Sequence, residues 1–258
     1  MLTGYRSLVS TIFICLLFAC DRDDERICKP HDPPSELDEY IFPLVPGMPG
    51  WADLESGEEM YAVTQLPDSV LPAITTAGLV ETCYNYPLRL NMIAGTTLQN
   101  GVASVVDLFN GFQELSGRHD AASTLLERYA AMDPACLAGL QAGPELGDHT
   151  LSYSLFEAVI AQDIFLTKFS EVQQRQLLQL ALEHHSKKKR YADIYGAFGL
   201  KTTAIIMARL MVLNGYPPFL DAMQQDSLIE IFVRSIELQD RLETIDIVAG
   251  YAISYNNH

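Results

Sequence analysis

Basic residues are scarce in this 258-residue chain: 17 Lys and Arg stand against 33 Asp and Glu, for a formal net charge of −16. A nucleic-acid partner is therefore excluded, because Lys and Arg must displace the counterions condensed on phosphates. An anionic lipid surface is disfavoured as the main partner for the same reason, whereas the acid excess permits cationic ligands without requiring them. Runs of alternating β-branched residues are also missing, which argues against a sheet. Chemistry-bearing motifs are missing as well. There is no Gly-x-Ser-x-Gly nucleophile elbow and no His-Glu-x-x-His zinc helix. Cysteine is sparse, with five residues in the whole chain, so no dense disulfide scaffold is expected.

What is present begins at the N-terminus. Arg6 is the only charge before position 20, and an apolar run follows from Leu8 through Ile12, Phe13, Ile14, Leu16, Leu17 and Phe18. That run is shorter than the ~20 apolar residues a spanning helix needs and has the zones of a secretory signal. It ends in Leu17-Phe18-Ala19-Cys20, followed at once by Asp21-Arg22-Asp23-Asp24-Glu25. The tetrapeptide resembles the lipobox of bacterial lipoproteins. The resemblance implies cleavage before Cys20 and acylation of that cysteine, with a diacylglyceryl group and usually a further acyl chain. Two or three chains hold a protein durably, where one gives only marginal attachment. Asp directly after the cysteine is similar to an inner-membrane retention signal. The whole acidic cluster is similar to the surface-export signal of Bacteroidetes lipoproteins, and it fits that pattern better. The expected location is the outer membrane, facing the cell surface, with the periplasmic face as the alternative.

The expected division is a signal peptide over 1–19, a lipidated cysteine and Pro-rich tether over 20–50, and a helical domain over 51–258. Pro30, Pro33, Pro34, Pro43, Pro46 and Pro49 favour extended backbone. Extended at about 3.1 Å per residue, such a tether reaches as far as ~90 Å from the bilayer. Cys15 leaves with the signal, so Cys28, Cys83 and Cys136 remain and at most one internal disulfide forms. Cys83 and Cys136 lie in apolar helical contexts, where a buried free thiol is the commoner state.

From Pro67 onward the apolar spacing is helical. Pro67-Asp68 suits a helix first turn, and a helix is expected near 97–110 with Leu98, Val102, Val105, Val106 and Phe109 on one stripe. Asp120 and Thr150 are expected to cap the next two helices, the second of them central because it is apolar all round. Ser170 and Gln173 form a capping-box pattern. A very apolar helix is expected near 201–213, ended by Asn214-Gly215 and Pro217-Pro218, with two more over 219–238 and 240–254. The fold class is all-α: antiparallel helices stacked either as a HEAT-like α-solenoid or as an irregular bundle. The stretches Gly78–Leu88, Phe109–Leu115 and Tyr195–Thr203 resemble segments of uncharacterised helical lipoproteins from Bacteroidetes, a resemblance that implies no activity.

No catalytic, metal or cofactor residue is assigned from sequence; Cys20, as the lipidation site, is the only residue given a chemical role. Gly196-Ala197-Phe198-Gly199-Leu200-Lys201 departs from a phosphate loop, since Leu200 separates the last Gly from Lys201. His184 and His185 are adjacent on a helix and point about 100° apart, so they cannot grip one metal. His119 and His149 each neighbour an aspartate and read as surface or capping residues. Lys187-Lys188-Lys189-Arg190 reads as a solvated run that complements a helix C-terminus. Glu157 and Asp163 sit in an apolar helical context, where burial would raise a carboxyl pKa. The expected function is a non-enzymatic binding or scaffold module at the cell envelope, engaging a protein, peptide or glycan. The alternative is a surface-attached hydrolase or lyase acting on envelope polymers or glycans.

Overall fold

The computed structural model describes residues 38–257 except 138, 139, 141 and 142. Cys20, Cys28 and the leader and acidic cluster therefore lie outside the described residues. Among the described residues the regular structure is entirely helical. Two helices, α1 (Gly57–Val63) and α2 (Thr76–Tyr84), precede a 3-10 turn at Arg89–Ile93. Then come α3 (Leu98–Leu108), α4 (Asn110–Gly117), α5 (Ala121–Ala131), α6 (Pro144–Ile160) and α7 (Asp163–Leu166). The C-terminal half comprises α8 (Glu171–Arg190), α9 (Ala192–Leu213), α10 (Pro217–Gln225), α11 (Ser227–Ser235) and α12 (Glu243–Asn256).

The core is organised around α9. Residues Thr202 to Ala208 are all buried, and α6, α8, α10, α11 and α12 pack on this helix from different sides. That explains its all-round apolar character. It is long and apolar enough to cross a bilayer, but here it is the central rod of a bundle. In a solenoid each unit touches only its sequence neighbours. Here α3 packs on α11, and Leu98 N–H donates to Glu237 Oε1, 139 residues away, at 2.8 Å. Of the two expected arrangements, these contacts describe the irregular bundle.

Local chemistry sets the helix ends, and several differ from the expected ones. The Ser170–Gln173 capping box is formed, with both reciprocal bonds. The helix expected at Pro67 begins instead at Thr76, capped by Thr75 Oγ1 accepting from Gly78 N–H at 3.0 Å. Asp120 precedes α5 but does not cap it; its carboxylate accepts from Thr76 Oγ1 at 2.8 Å and ties α5 to α2. Thr150 lies inside α6, which starts six residues earlier at Pro144, and its hydroxyl donates back to Leu146 O. Proline at the first helical position loses no hydrogen bond the helix would have made. The stretch expected as one helix over 219–238 is broken at Asp226, whose side chain caps Leu228 N–H at 3.0 Å. Within α9, Gly196 interrupts the helix at φ 58°, a conformation that costs glycine little.

The body also starts before Trp51. Asp38 accepts from Thr75 N–H at 2.7 Å, and Tyr40 N–H donates to Thr82 Oγ1 at 3.0 Å. Phe42 enters the core beside Tyr86 and Phe109. This strap lies so close to α2 that a methyl group on Gly78 would run into Asp38. Residues 38–42, expected in the tether, thus dock against α2 and the core, whereas 46–50 are exposed.

Candidate functional site

The least expected feature of the interior is a buried ion pair. Lys188, inside the basic run of α8, projects inward and is fully buried, as is Glu157 of α6. Lys188 Nζ lies 2.5 Å from Glu157 Oε2 and also donates to Gly199 O at 3.0 Å. Tyr129 donates to Glu157 Oε1 at 2.9 Å, and Thr202 Oγ1 donates to Oε2 at 2.5 Å. Three donors converge on one carboxyl group, an arrangement that selects the ionised form. The ammonium sits 4.5 Å from the Tyr153 ring centroid and 5.1 Å from that of Tyr195, within the range of cation–π attraction. Burial pushes the Glu157 carboxyl up and the Lys188 ammonium down, and each partner's charge opposes the other's shift. The rise expected for Glu157 is found; its expected neighbour in role, Asp163, is exposed. The basic run is not uniformly solvated, because its second lysine faces the core.

The adjacent histidines also serve the interior. His184 Nδ1 is 2.7 Å from Tyr153 Oη, and His185 Nδ1 is 3.3 Å from Thr203 Oγ1. Burial and the neighbouring lysines push the His184 imidazole down to about 3 and that of His185 down to about 4, so both rings are neutral at pH 7. Among the described residues no group of three His, Cys, Asp or Glu side chains is placed to hold a metal ion.

Tyr153 separates this polar interior from a pocket of about 400 Å³ between α2, α5 and α6, whose wall includes Tyr84, Arg128, His149 and Ser152. The volume suits a small molecule. Arg128 is 8% exposed. Its Nε lies 2.5 Å from Glu81 Oε1, and its guanidinium carbon stacks 4.7 Å from the Tyr84 ring centroid. Its Nη1 is buried without a hydrogen-bond partner among the described residues, and so is His149 Nε2. Buried polar atoms are rarely left unpaired. Burial lowers the His149 pKa, with Arg128 adding to the effect against Asp148. His149 is half-buried in the pocket wall, whereas His119 is fully solvated.

The acids of the wall are already engaged. Asp148 accepts from Arg89 at 2.7 Å, Asp133 accepts from Ala135 N–H and lies 3.2 Å from Lys187 Nζ, and Glu145 also has a partner. Tyr153 and Tyr84 are both pushed up, chiefly by burial, so neither forms a phenolate readily. The Gly196–Lys201 stretch is helical apart from Gly196, and Gly199 O accepts from Lys188. No backbone cradle for a phosphate forms there.

Cysteine chemistry differs from expectation at one of the two helical-context residues. Cys83 is a buried free thiol, but Cys136, in the pocket wall, is disulfide-bonded. Covalent closure fits the short, Pro134-containing stretch after α5 where Cys136 sits, which lacks helical hydrogen bonding to hold it. Sequence reasoning missed Arg128, Tyr84 and Ser152 as wall residues; helix periodicity assigns them no role because the pocket forms only when α2, α5 and α6 meet. Neither a protein-family model, nor a curated protein, nor a solved structure matches this chain.

Proposed function

We propose that this chain is a lipid-anchored, non-catalytic binding module of the cell envelope, and that the pocket walled by α2, α5 and α6 is its ligand site. One observation carries the reading: Tyr84, Arg128, His149, Ser152 and Tyr153 wall a pocket of about 400 Å³, and beside it Arg128 Nη1 and His149 Nε2 are buried without partners among the described residues. Unpaired buried polar atoms cost stability, and a ligand could satisfy them only once the wall adjusts around it. The hydrolase or lyase alternative needs an activated nucleophile or base. Instead the tyrosines of the wall have raised pKa values, and Glu157 is engaged by Lys188, Thr202 and Tyr129 behind Tyr153. The anchor supports the same reading through Cys20, the acidic cluster that follows it and the bacterial lipoprotein pattern they resemble.

The test is a thermal-shift screen of the mature chain with small anionic, neutral and cationic compounds, run beside a His149→Ala variant. At least one compound should raise the unfolding midpoint of the wild type and not that of the variant. The compound should remain chemically unchanged after prolonged incubation. Absence of any His149-dependent compound, or its conversion to product, would contradict the proposal.

A further inference from the structure

Cys136 is disulfide-bonded. Its partner is not among the described residues, because the other cysteine there, Cys83, is a free thiol. The chain holds five cysteines in all, so the partner is Cys15, Cys20 or Cys28. Chemistry narrows the choice. On the lipid-anchor reading, Cys15 departs with the leader and the sulfur of Cys20 is committed to its diacylglyceryl group. Cys28 alone keeps a sulfur that can pair.

Distance agrees with that choice. The chain enters the described body at Asp38, and the next residue, Glu39, accepts from Asn85 Nδ2 at 2.7 Å. Asn85 and Cys136 both line the pocket of about 400 Å³ between α2, α5 and α6. The entering chain thus already touches the pocket that Cys136 walls. Ten residues lie between Cys28 and that entry point, an extended reach of about 33–36 Å. Opposite walls of a pocket of this volume lie well inside such a reach, and a disulfide asks only that its Cα atoms come within about 7 Å.

Resting on the lipid-anchor reading above, we infer that Cys28 is bonded to Cys136, so that the body hangs from the membrane by residues 20–28 alone. The bond forms after export. Each thiol gives up its hydrogen as the two sulfurs join, and the two electrons and two protons pass to a protein disulfide, which is left as a dithiol. The consequence is a short spacer. Eight residues reach about 25 Å at 3.1 Å per residue, against ~90 Å for the whole expected tether. Cys136, and with it the pocket, is held close over the lipid rather than far beyond it.

The test is peptide mapping of the lipoprotein purified from membranes in detergent. Thiols are alkylated in denaturant without reduction, and the chain is then cleaved after glutamate. That cleavage puts Cys28, Cys83 and Cys136 on separate peptides, 26–36, 82–114 and 128–145. Mass spectrometry should find 26–36 joined to 128–145, the two parting on reduction, and 82–114 carrying one alkyl group. Cys28→Ser should leave Cys136 alkylated and lower the urea midpoint, because closing so long a loop restricts the unfolded chain. Cys28 alkylated beside an acylated Cys20, or 128–145 joined to 82–114, would overturn the pairing and leave the anchor standing. Cys20 joined to Cys136 would overturn pairing and anchor together. The expected link beside an unmodified Cys20 would uphold the pairing and contradict the anchor, and the short spacer with it. A link found only in a dimer on a non-reducing gel would overturn the pairing within one chain.

Discussion

Lys188 Nζ lies 2.5 Å from Glu157 Oε2, and neither side chain has any exposed surface. The pair joins α6 to α8, and its further bonds to Gly199 O and from Thr202 reach the kinked start of α9. The two helices with the most extensive packing on the central rod are thus registered to it by one polar cluster. Breaking one half leaves the other charge buried and unpaired, which typically costs about 3–5 kcal/mol. Lys188→Met and Glu157→Gln should each lower the urea midpoint by a corresponding amount. The double variant should be more stable than the sum of the two losses predicts, because it leaves no lone charge. Additive losses in equilibrium urea unfolding would show that the two side chains do not act as a pair.

Acid should destabilise the fold before ordinary carboxylates titrate. The His184 pKa is held down at about 3 and that of His185 at about 4, whereas an unfolded histidine titrates near 6.5. Below pH ~6.5 the unfolded chain therefore binds more protons than the folded one, and stability falls as pH falls. The stabilising contribution is fully present above pH ~6.5 and declines down to the folded values. Urea midpoints at pH 7, 6 and 5 should decrease in order, and His184→Gln should reduce that slope. An unchanged slope would remove His184 from the account.

The two described cysteines should behave oppositely. Burial pushes the Cys83 thiol well up, so it should resist an aromatic disulfide reagent in the native state and react once urea unfolds the chain. Cys136 should not react until a reductant is added, since it is disulfide-bonded. Rapid labelling of Cys83 in native buffer would contradict its burial.

The docking of the 38–42 strap is checked at Gly78. A methyl group there meets Asp38, so Gly78→Ala should lift the strap and release Phe42 from its aromatic neighbours. Overpacking of this kind costs about 1–3 kcal/mol. Limited proteolysis should then cut within residues 38–50 faster than in the wild type. Equal rates would mean that the strap is not held through this contact.

The proposed anchor is tested at Cys20. With Cys20→Ser the chain should lose its acyl chains and leave the membrane fraction, because attachment is expected to rest on lipid at that residue. Retention of the variant in washed membranes would refute lipid anchoring at Cys20.

The helical class, the apolar rod near 201–213 and the Ser170–Gln173 cap were legible because each is local: a periodicity or a pair of residues three apart. Helix starts were less so. Thr150 reads as a cap, but Pro144 had already begun the helix. Asp120 reads as a cap, but Thr76 claims its carboxylate from another helix. The site was least legible of all. Lys188 looks solvated within Lys187–Arg190, and only the packing of α6 and α8 on α9 shows that one lysine of the run points inward. Likewise His149 gained its place in a pocket wall from α2 and α5, which lie far from it in sequence.

The pocket as a ligand site is the central claim, and the imidazole of His149 reports on it most directly. Nitrogen-15 side-chain spectra of the mature chain, recorded at pH 7 during titration with the compound that most raises its unfolding midpoint, follow the Nε2 signal itself. The account predicts a saturable shift of His149 Nε2 together with protection of its proton from exchange, absent in Arg128→Lys. A compound that saturates other signals while His149 stays unmoved would contradict it.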